Sequence, residues 1–134
     1  MLRLEIVTPE AKTFSDDVDS VVIPGIEGEM GILPMHVPLM TQLQPGELRV
    51  LKGGEETRLA VGEGFVEITG EKVIVLTDMA IKESDIDESA AEAAIHRAEE
   101  AMRTERLSDE EHAVTKAALQ RSLALVRVKR RHTV

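Results

Sequence analysis

Residues 24–38 read PGIEGEMGILPMHVP, and this stretch constrains the fold more than any other in the chain. Gly25, Gly28 and Gly31 are spaced in threes, which indicates a backbone with positive φ or with a close approach to a neighbouring segment. The three prolines fix φ and remove backbone donors, so they argue against a helix or a central strand. The stretch therefore predicts a wide, tightly turned loop between two β-forming segments, and such loops often carry function.

Short runs of β-forming residues lie on both sides of this loop, as far as about residue 80. Apolar side chains alternate with less apolar ones in several of them, which is the period of half-buried strands. The runs are residues 2–7, 18–23, 48–50, 58–61, 65–68 and 73–76. Glycine-containing pairs supply turn signals between them. Because no helical period intervenes, this part of the chain predicts an antiparallel β-sandwich or a barrel-like fold.

The apolar period changes after Asp78 from two to about 3.6 residues. Apolar positions recur from 86 to 102 and again from 114 to 128, with a break at 107–109 that supplies a second helix start. Candidate N-caps of the first helix are Ser84, Asp85 and Asp87. Two helices joined by so few residues should lie antiparallel, as a helical hairpin.

The change of period predicts two domains, a β-sandwich at residues 1–83 and an α-helical hairpin at residues 84–134. The hairpin stripe is mostly alanine, and alanine buries little apolar area at about 25 cal/mol per Å². Such a hairpin closes tightly but holds weakly to anything else, as a detachable element would. The high helix propensity of alanine accounts for the same composition.

The composition limits what the chain can do. Its net charge is −9 and its only aromatic residues are Phe14 and Phe65, which argues against a nucleic-acid binder and against base-stacking platforms. Cysteine is absent, which suits a reducing compartment, and no apolar run is long enough to cross a membrane. We expect a soluble protein that associates with a membrane only through its partners.

Charge is unevenly distributed along the predicted hairpin. Residues 85–111 contain ten acids and three bases, whereas residues 121–134 contain five bases and no acid. The five bases are Arg121, Arg127, Lys129, Arg130 and Arg131. A solvated helix pair with charge-matched ends would give this gradient, and so would a basic tip that reaches an acidic partner.

The residue patterns do not favour a catalytic, metal or phosphate site. Glu27 and Glu29 stand inside the glycine triplet, where carboxylates would repel phosphate, and no Lys-Ser or Lys-Thr pair follows. His36 lies between two prolines, where a lone histidine is typically a hydrogen-bonded structural residue. The other histidines lack zinc spacing, and no nucleophile elbow is present. We therefore predict no metal, no cofactor and no catalysis; a small β-domain enzyme with a cleft of convergent acids is an alternative.

Four further motifs accompany the 24–38 stretch along the chain. They are LEIVTPE at 4–10, QPGELR at 44–49, GFVE at 64–67 and VIVLTD at 73–78. In residue identity, order and spacing, this set of motifs resembles the epsilon subunit family of bacterial and organellar ATP synthases. The resemblance covers nearly the whole chain.

This resemblance implies a non-catalytic subunit of the central rotor stalk, peripheral to the cytoplasmic face of the bacterial cell membrane. Its sandwich would bind the gamma subunit and the c-ring, with Gly31 and His36 in the contact loop and Glu29 as the acid at the rotor. It would couple proton-driven rotation to ATP synthesis. Its hairpin would inhibit ATP hydrolysis, with the five bases meeting acidic segments of the alpha and beta catalytic subunits.

The hairpin also carries part of a nucleotide motif of this family. Positions that match the ATP-binding members are Ile86, Asp87, Ala91, Arg97 and Arg121. Ala90 and Leu125 stand where those members have cations, and phosphate recognition relies on forked guanidinium donors. Asp87 has the alternative role of a residue at a helix N-terminus. We therefore predict weak ATP binding, and an ATP-sensing module is a second alternative.

Overall fold

A computed structural model describes residues 1–131, apart from the side chain of Thr13. Residues 132–134, which end the predicted hairpin, lie outside the described residues. The strands are β1 (Leu2–Val7), β2 (Lys12–Val18), β3 (Ser20–Gly25), β4 (Gly28–Ile32), β5 (Leu39–Leu43), β6 (Gly46–Lys52), β7 (Glu55–Val61), β8 (Gly64–Thr69), β9 (Lys72–Thr77) and β10 (Ala80–Lys82). A 3-10 turn (Glu83–Asp85) leads to the helices α1 (Glu88–Thr104) and α2 (Asp109–Arg131).

The strands join in the order β10-β7-β6-β3-β5-β8-β9-β1-β2, with β4 attached to β3. All pairings are antiparallel except that of β1 with β9. β3 and β5 are joined by a single register pair, Gly25 with Leu43, and the two parts of the sheet enclose one core. The predicted fold class, a β-sandwich followed by a two-helix hairpin, is confirmed.

Alternation along each strand turns one side chain in two toward this core. In β1, Leu2, Leu4 and Ile6 are fully buried, while the residues between them are less buried. The remaining core positions are Val18, Val21, Ile23, Ile32, Leu43, Leu48, Val50, Leu59, Val61, Val66, Ile68, Val73 and Val75. Removing these aliphatic side chains from water, at about 25 cal/mol per Å², is the main stabilising term of the sandwich.

Half of the predicted wide loop is a β-hairpin. β3 continues through Pro24 to Gly25, and β4 begins at Gly28, so only residues 26–27 form the turn. Gly28 has a φ of 128°, and a Cβ on Gly25 would lie 2.9 Å from the carbonyl oxygen of Gly28, as the glycine pattern predicts. The prediction of a wide loop is therefore wrong for this half. Pro24 is compatible with a strand because it lies one residue before the end of β3, and its carbonyl accepts a hydrogen bond from the Gln44 N–H.

Gly31 lies inside β4 and differs from the other two glycines of the triplet. A Cβ built on it would meet no atom within 4 Å, and its φ is not positive. The prediction that this position requires glycine is therefore wrong for the described chain. The true loop of the segment is residues 33–38, between β4 and β5, and it contains the other two prolines and His36.

Each helix begins at a side-chain cap. Asp87 caps α1, its carboxylate accepting a hydrogen bond from the Ala90 N–H at 3.0 Å. Ser108 and Glu111 form a reciprocal capping box at α2, with distances of 3.1 and 3.2 Å. The Ser108 backbone N–H donates to the Glu111 carboxylate, and this bond, together with the Ser108 hydroxyl, holds the pKa of Glu111 below its ordinary value.

The hairpin packs on the outer face of the sandwich, through α2 against β6 and β7. Its apolar contact is a small cluster of Ala60, Ile86 and Val128, with Met79, Ile81 and Leu125 partly buried around it. Because Ala60 points away from the sandwich core, this cluster is separate from the core cluster. The hairpin thus docks on the sandwich without contributing to its interior.

Candidate functional site

An exposed apolar surface, here named the apolar edge, covers residues 33–40. Its side chains are between 65% and 82% exposed at Leu33, Met35, Val37 and Met40. The loop is held in shape: the Met35 N–H donates to the Gly70 carbonyl at 2.8 Å, and His36 Nδ1 lies 2.7 Å from its neighbour's carbonyl oxygen. Contiguous exposed apolar side chains on an ordered loop are typical of a docking surface.

Glu29 does not lie in this loop. It sits near the turn end of β4, and the four residues to Leu33 span about 13 Å of strand. The structure therefore separates Glu29 from His36, which the sequence placed in one loop. Gly31 lies between them, near the middle of the strand.

Arg49, on β6, joins Glu29 to the outer face of the sandwich. Its Nη1 lies 2.8 Å from Glu29 Oε2 and 3.2 Å from Glu47 Oε1, and its Nε lies 3.4 Å from Glu56. Burial alone lowers the pKa of Arg49, but the hydrogen bonds to Glu47 and Glu29 outweigh it and raise that pKa above its ordinary value. The guanidinium is therefore a firmly charged centre shared by several carboxylates.

Four of the five bases near the end of α2 pair with acids of the same chain. Three of them bridge α2 to the sandwich or to the 3-10 turn: Arg121 with Asp78 at 3.1 Å, Lys129 with Glu83 at 3.6 Å and Arg131 with Glu47 at 3.6 Å. In the docked hairpin, these cations are therefore charge-matched within the molecule. The sequence could not identify these partners, because each lies far along the chain from its base. The separation is 43 residues between Asp78 and Arg121 and 46 residues between Glu83 and Lys129.

Arg130 is different, because its partners lie on α1. It contacts Glu88 at 2.6 Å and also Glu92, and the hydrogen bond to Glu88 is the main cause of its raised pKa. This pair closes the hairpin on itself and does not tie it to the sandwich. Arg127 is exposed and makes no ion pair with any residue that the structure describes.

Gly62 allows a close approach of Asp78 and of Arg121 on α2 to the sandwich backbone. A Cβ there would lie 1.7 Å from Asp78 Oδ1 and 3.5 Å from Arg121 Cγ. Any larger residue would therefore displace Asp78 from the position in which it meets Arg121. No sequence signal marked this glycine, because its requirement comes from residues that are distant along the chain.

The residues of the degenerate nucleotide motif do not form one site. Ile86 is buried in the docking cluster, and Asp87 is the N-cap of α1. Arg97 is exposed, roughly 15 Å further along α1. Arg121 is paired with Asp78, and Leu125 packs in the docking cluster, where a cation would lack a partner. Each position thus has a structural role or lies apart.

One open cavity of about 680 Å³ lies between the sandwich and α2. Its lining contains Glu63, Asp78 and Lys116 but no hydroxyl, thiol or imidazole side chain, and Asp78 is engaged by Arg121. Among residues 1–131, no three His, Asp or Glu side chains are placed to hold a metal ion. Neither described helix is long and apolar enough to cross a membrane.

Two family models match this architecture. The ATP synthase Delta/Epsilon chain beta-sandwich domain matches residues 1–83, and the ATP synthase Delta/Epsilon chain long alpha-helix domain matches residues 84–130. The chain belongs to the ATP synthase Delta/Epsilon family, as the resemblance predicts.

Curated relatives that match most of this chain are ATP synthase epsilon chains. It is 46% identical to the ATP synthase epsilon chain of Dehalococcoides mccartyi, over 95% of this chain and 91% of that one. It is 44% identical to the ATP synthase epsilon chain of Herpetosiphon aurantiacus, over 95% and 93%. Within the Delta/Epsilon family, the chain is therefore similar to epsilon chains.

Solved structures share the fold. A chain in the cryo-electron-microscopy structure of the Euglena gracilis mitochondrial ATP synthase, with its c-ring, superposes with a TM-score of 0.75 at 24% identity, covering 92% of this chain and 78% of that chain. A chain of the Tetrahymena thermophila mitochondrial ATP synthase central stalk and c-ring gives 0.59 at 12% identity, over 99% and 96%.

Proposed function

We propose that this chain is a non-catalytic epsilon subunit in the central rotor stalk of ATP synthase. Its partners are the gamma subunit, the c-ring and the alpha and beta subunits of the catalytic head, at the cytoplasmic face of the bacterial cell membrane. It couples proton-driven rotation to ATP synthesis, and its hairpin restrains ATP hydrolysis. The observation that carries the proposal is the combination of an ordered, exposed apolar edge with a hairpin held by a small apolar cluster and a few partly exposed ion pairs.

The apolar edge supports the docking part of the proposal. Its four exposed side chains are held by a loop with two prolines and a backbone hydrogen bond to Gly70, so docking costs little ordering entropy. A second exposed apolar pair, Phe65 and Leu76, is in register on β8 and β9. We assign the edge to the c-ring contact and the β8–β9 face to the gamma subunit, with Glu29 as the acid that completes the rotor contact.

The hairpin supports the regulatory part. Its docking cluster is small, and the ion pairs that tie it to the sandwich are partly exposed, where each is worth about 0–1 kcal/mol. Undocking α2 would release Arg121, Lys129 and Arg131 from their acids and leave them available to acidic segments of the catalytic head. Arg130 would remain paired with α1.

Co-purification tests the proposal. A tagged chain is expressed with the gamma and c subunits of one bacterial ATP synthase, and the captured assembly is identified by mass spectrometry. We expect capture of both subunits, and a weaker capture of the c subunits with gamma retained in the double variant Leu33→Asp, Met35→Asp. The control is Val114→Asp, which puts one such charge on an apolar position of α2 that is 68% exposed. Failure of the unaltered chain to capture gamma would overturn the assignment.

A further inference from the structure

A continuous series of charged side chains links the turn end of β4 to the last turn of α2. Glu29 contacts Arg49 at 2.8 Å, Arg49 contacts Glu47 at 3.2 Å, and Glu47 contacts Arg131 at 3.6 Å. Glu29 and Glu47 also line a small cavity of about 170 Å³ together with Arg127 and Arg131. The two ends of the series belong to the two surfaces that the proposed function assigns to different partners.

Glu47 is the centre of this series because of its burial. Its side chain is only 5% exposed, so its carboxylate depends on nearby cations rather than on water. Arg49 supplies one cation, but it also serves Glu29 and Glu56. The more strongly Glu29 holds Arg49, the more the Glu47 carboxylate gains from Arg131.

Two effects of the Glu29 charge therefore act in the same direction. Glu29 draws part of the Arg49 charge away from Glu47, which increases the attraction between Glu47 and Arg131. It also adds a negative charge to the cavity that Arg127 and Arg131 line, and this attracts the end of α2 directly. Removing the charge, or engaging it elsewhere, weakens both attractions.

We propose that Glu29, Arg49 and Glu47 couple the rotor-contact end of β4 to the docking of α2. Engagement of Glu29 by a partner loosens the Arg131 end of the hairpin. Because such coupling is reciprocal, a docked hairpin holds Glu29 on Arg49 and lowers its availability to that partner. The effect of the rotor on the hairpin rests on the proposed contact role of Glu29. The coupling between Glu29 and α2 within the chain does not rest on that role.

Thiol labelling of the full chain measures this coupling, because the native sequence contains no cysteine. A Val128→Cys reporter lies in the docking cluster on α2, where the native side chain is 2% exposed, so its alkylation rate reports undocking. We expect Glu29→Gln to raise that rate about twofold to fivefold, because it acts through partly exposed ion pairs. The matched control is Glu67→Gln, an exposed glutamate on β8, which should leave it unchanged.

A double-mutant cycle separates coupling from two independent contacts. Arg131→Gln should raise the labelling rate, and adding Glu29→Gln to it should raise the rate by less than twofold, because the shared path is already broken. A second reporter, Val66→Cys in the sandwich core, should not respond to Glu29→Gln. Equal effects of Glu29→Gln and Glu67→Gln, full additivity with Arg131→Gln, or an equal response of the core reporter would each overturn the proposal.

The same reporter in the assembled complex tests the proposed function separately. With gamma and the c-ring bound, Val128→Cys labelling should rise in the chain that keeps Glu29 and change less in Glu29→Gln. A positive cycle in the free chain without this rise would support the internal coupling and count against the contact role of Glu29.

Discussion

The sandwich and the hairpin are stabilised in different ways, although they belong to one chain. The sandwich encloses sixteen buried aliphatic residues in one cluster, whereas the hairpin docks through three, one of which is alanine. Ion pairs are peripheral to the first and central to the second. Burial of aliphatic area is insensitive to salt, while exposed ion pairs are weak and screened. The comparison indicates a rigid sandwich that carries a less extensively packed hairpin.

The core should respond most strongly to substitution. Leu4→Ala removes a fully buried side chain in β1, and we expect it to lower the free energy of unfolding by about 2–5 kcal/mol, because the cavity cannot refill. Urea denaturation measures this loss. Val128→Ala, in the docking cluster, should cost less than half as much. Equal losses at the two positions would show that the hairpin shares the sandwich's stability.

Removing residues 84–134 should leave a folded sandwich. Among residues 1–131, no helix residue belongs to the core cluster, whose last buried member is Val75 with Ala80 packed against it, so truncation mainly exposes the docking face around Ala60. We expect a loss of about 1–3 kcal/mol in the free energy of unfolding, smaller than that of Leu4→Ala, from this apolar area. Circular dichroism with thermal denaturation checks the outcome. Aggregation or loss of the β-sheet signal would contradict the two-domain division.

Glycine substitutions sharpen the comparison on the hairpin side. Gly62→Ala puts a Cβ where Asp78 lies, so we expect the Asp78–Arg121 pair to break and docking to weaken by about 1–3 kcal/mol. Labelling of a buried cysteine on α2 measures this change. Gly31→Ala is the control, because open space surrounds its Cβ and no positive φ is required. If the cysteine is labelled no faster in Gly62→Ala than in Gly31→Ala, docking of the hairpin does not depend on the Asp78–Arg121 pair.

Arg127 separates docking from partner contact. It is exposed and makes no ion pair with a described residue, so Arg127→Gln should loosen the docked hairpin less than Arg131→Gln does. If it meets an acidic segment of the catalytic head, its loss should raise ATP hydrolysis by the assembled enzyme up to about fivefold, since one exposed ion pair is worth about 0–1 kcal/mol. The increase should be largest at low ionic strength. A rate equal to that of the parent at every salt concentration would remove Arg127 from the partner contact.

ATP should have the smallest effect. Ala90 and Leu125 replace two cations of the nucleotide motif, and each missing charge-assisted contact costs about 1.5–3 kcal/mol, or two to four decades in affinity together. We therefore expect no binding heat at millimolar ATP in calorimetry on the isolated chain. As a gain-of-function control, Ala90→Arg with Leu125→Arg should bind more tightly than the native chain. Micromolar affinity of the native chain would favour an ATP-sensing role.

The sequence predicts the starts of both helices correctly, because these signals are local. Asp87 was a candidate cap and is the cap of α1, and Ser108 starts α2, because capping depends on residues three apart. The sequence does not predict strand β2, because Asp16 and Asp17 break its apolar alternation. In the structure Asp16 pairs with Lys52 and Asp17 pairs with Arg3. Long-range electrostatic neighbours have no sequence period, so they become visible only in the fold.

The 24–38 stretch shows the same limit. Its prolines and glycines indicate constraint, but both a β-hairpin and a loop satisfy that constraint locally. The pairing of β4 with β3 depends on residues 21–25 and 28–32 being neighbours in the sheet. For this reason the sequence grouped Glu29 with His36, whereas the strand between them keeps them apart.

The backbone of Met35 has a consequence for how force passes through the molecule. Its φ of 67° is in the left-handed region, where a residue with a Cβ is strained by about 1–2 kcal/mol, and the hydrogen bond to Gly70 holds it there. A tip that is already bent against its own preference has few alternative shapes to yield into. A partner that pressed on this tip would therefore displace the whole sandwich and not the loop alone.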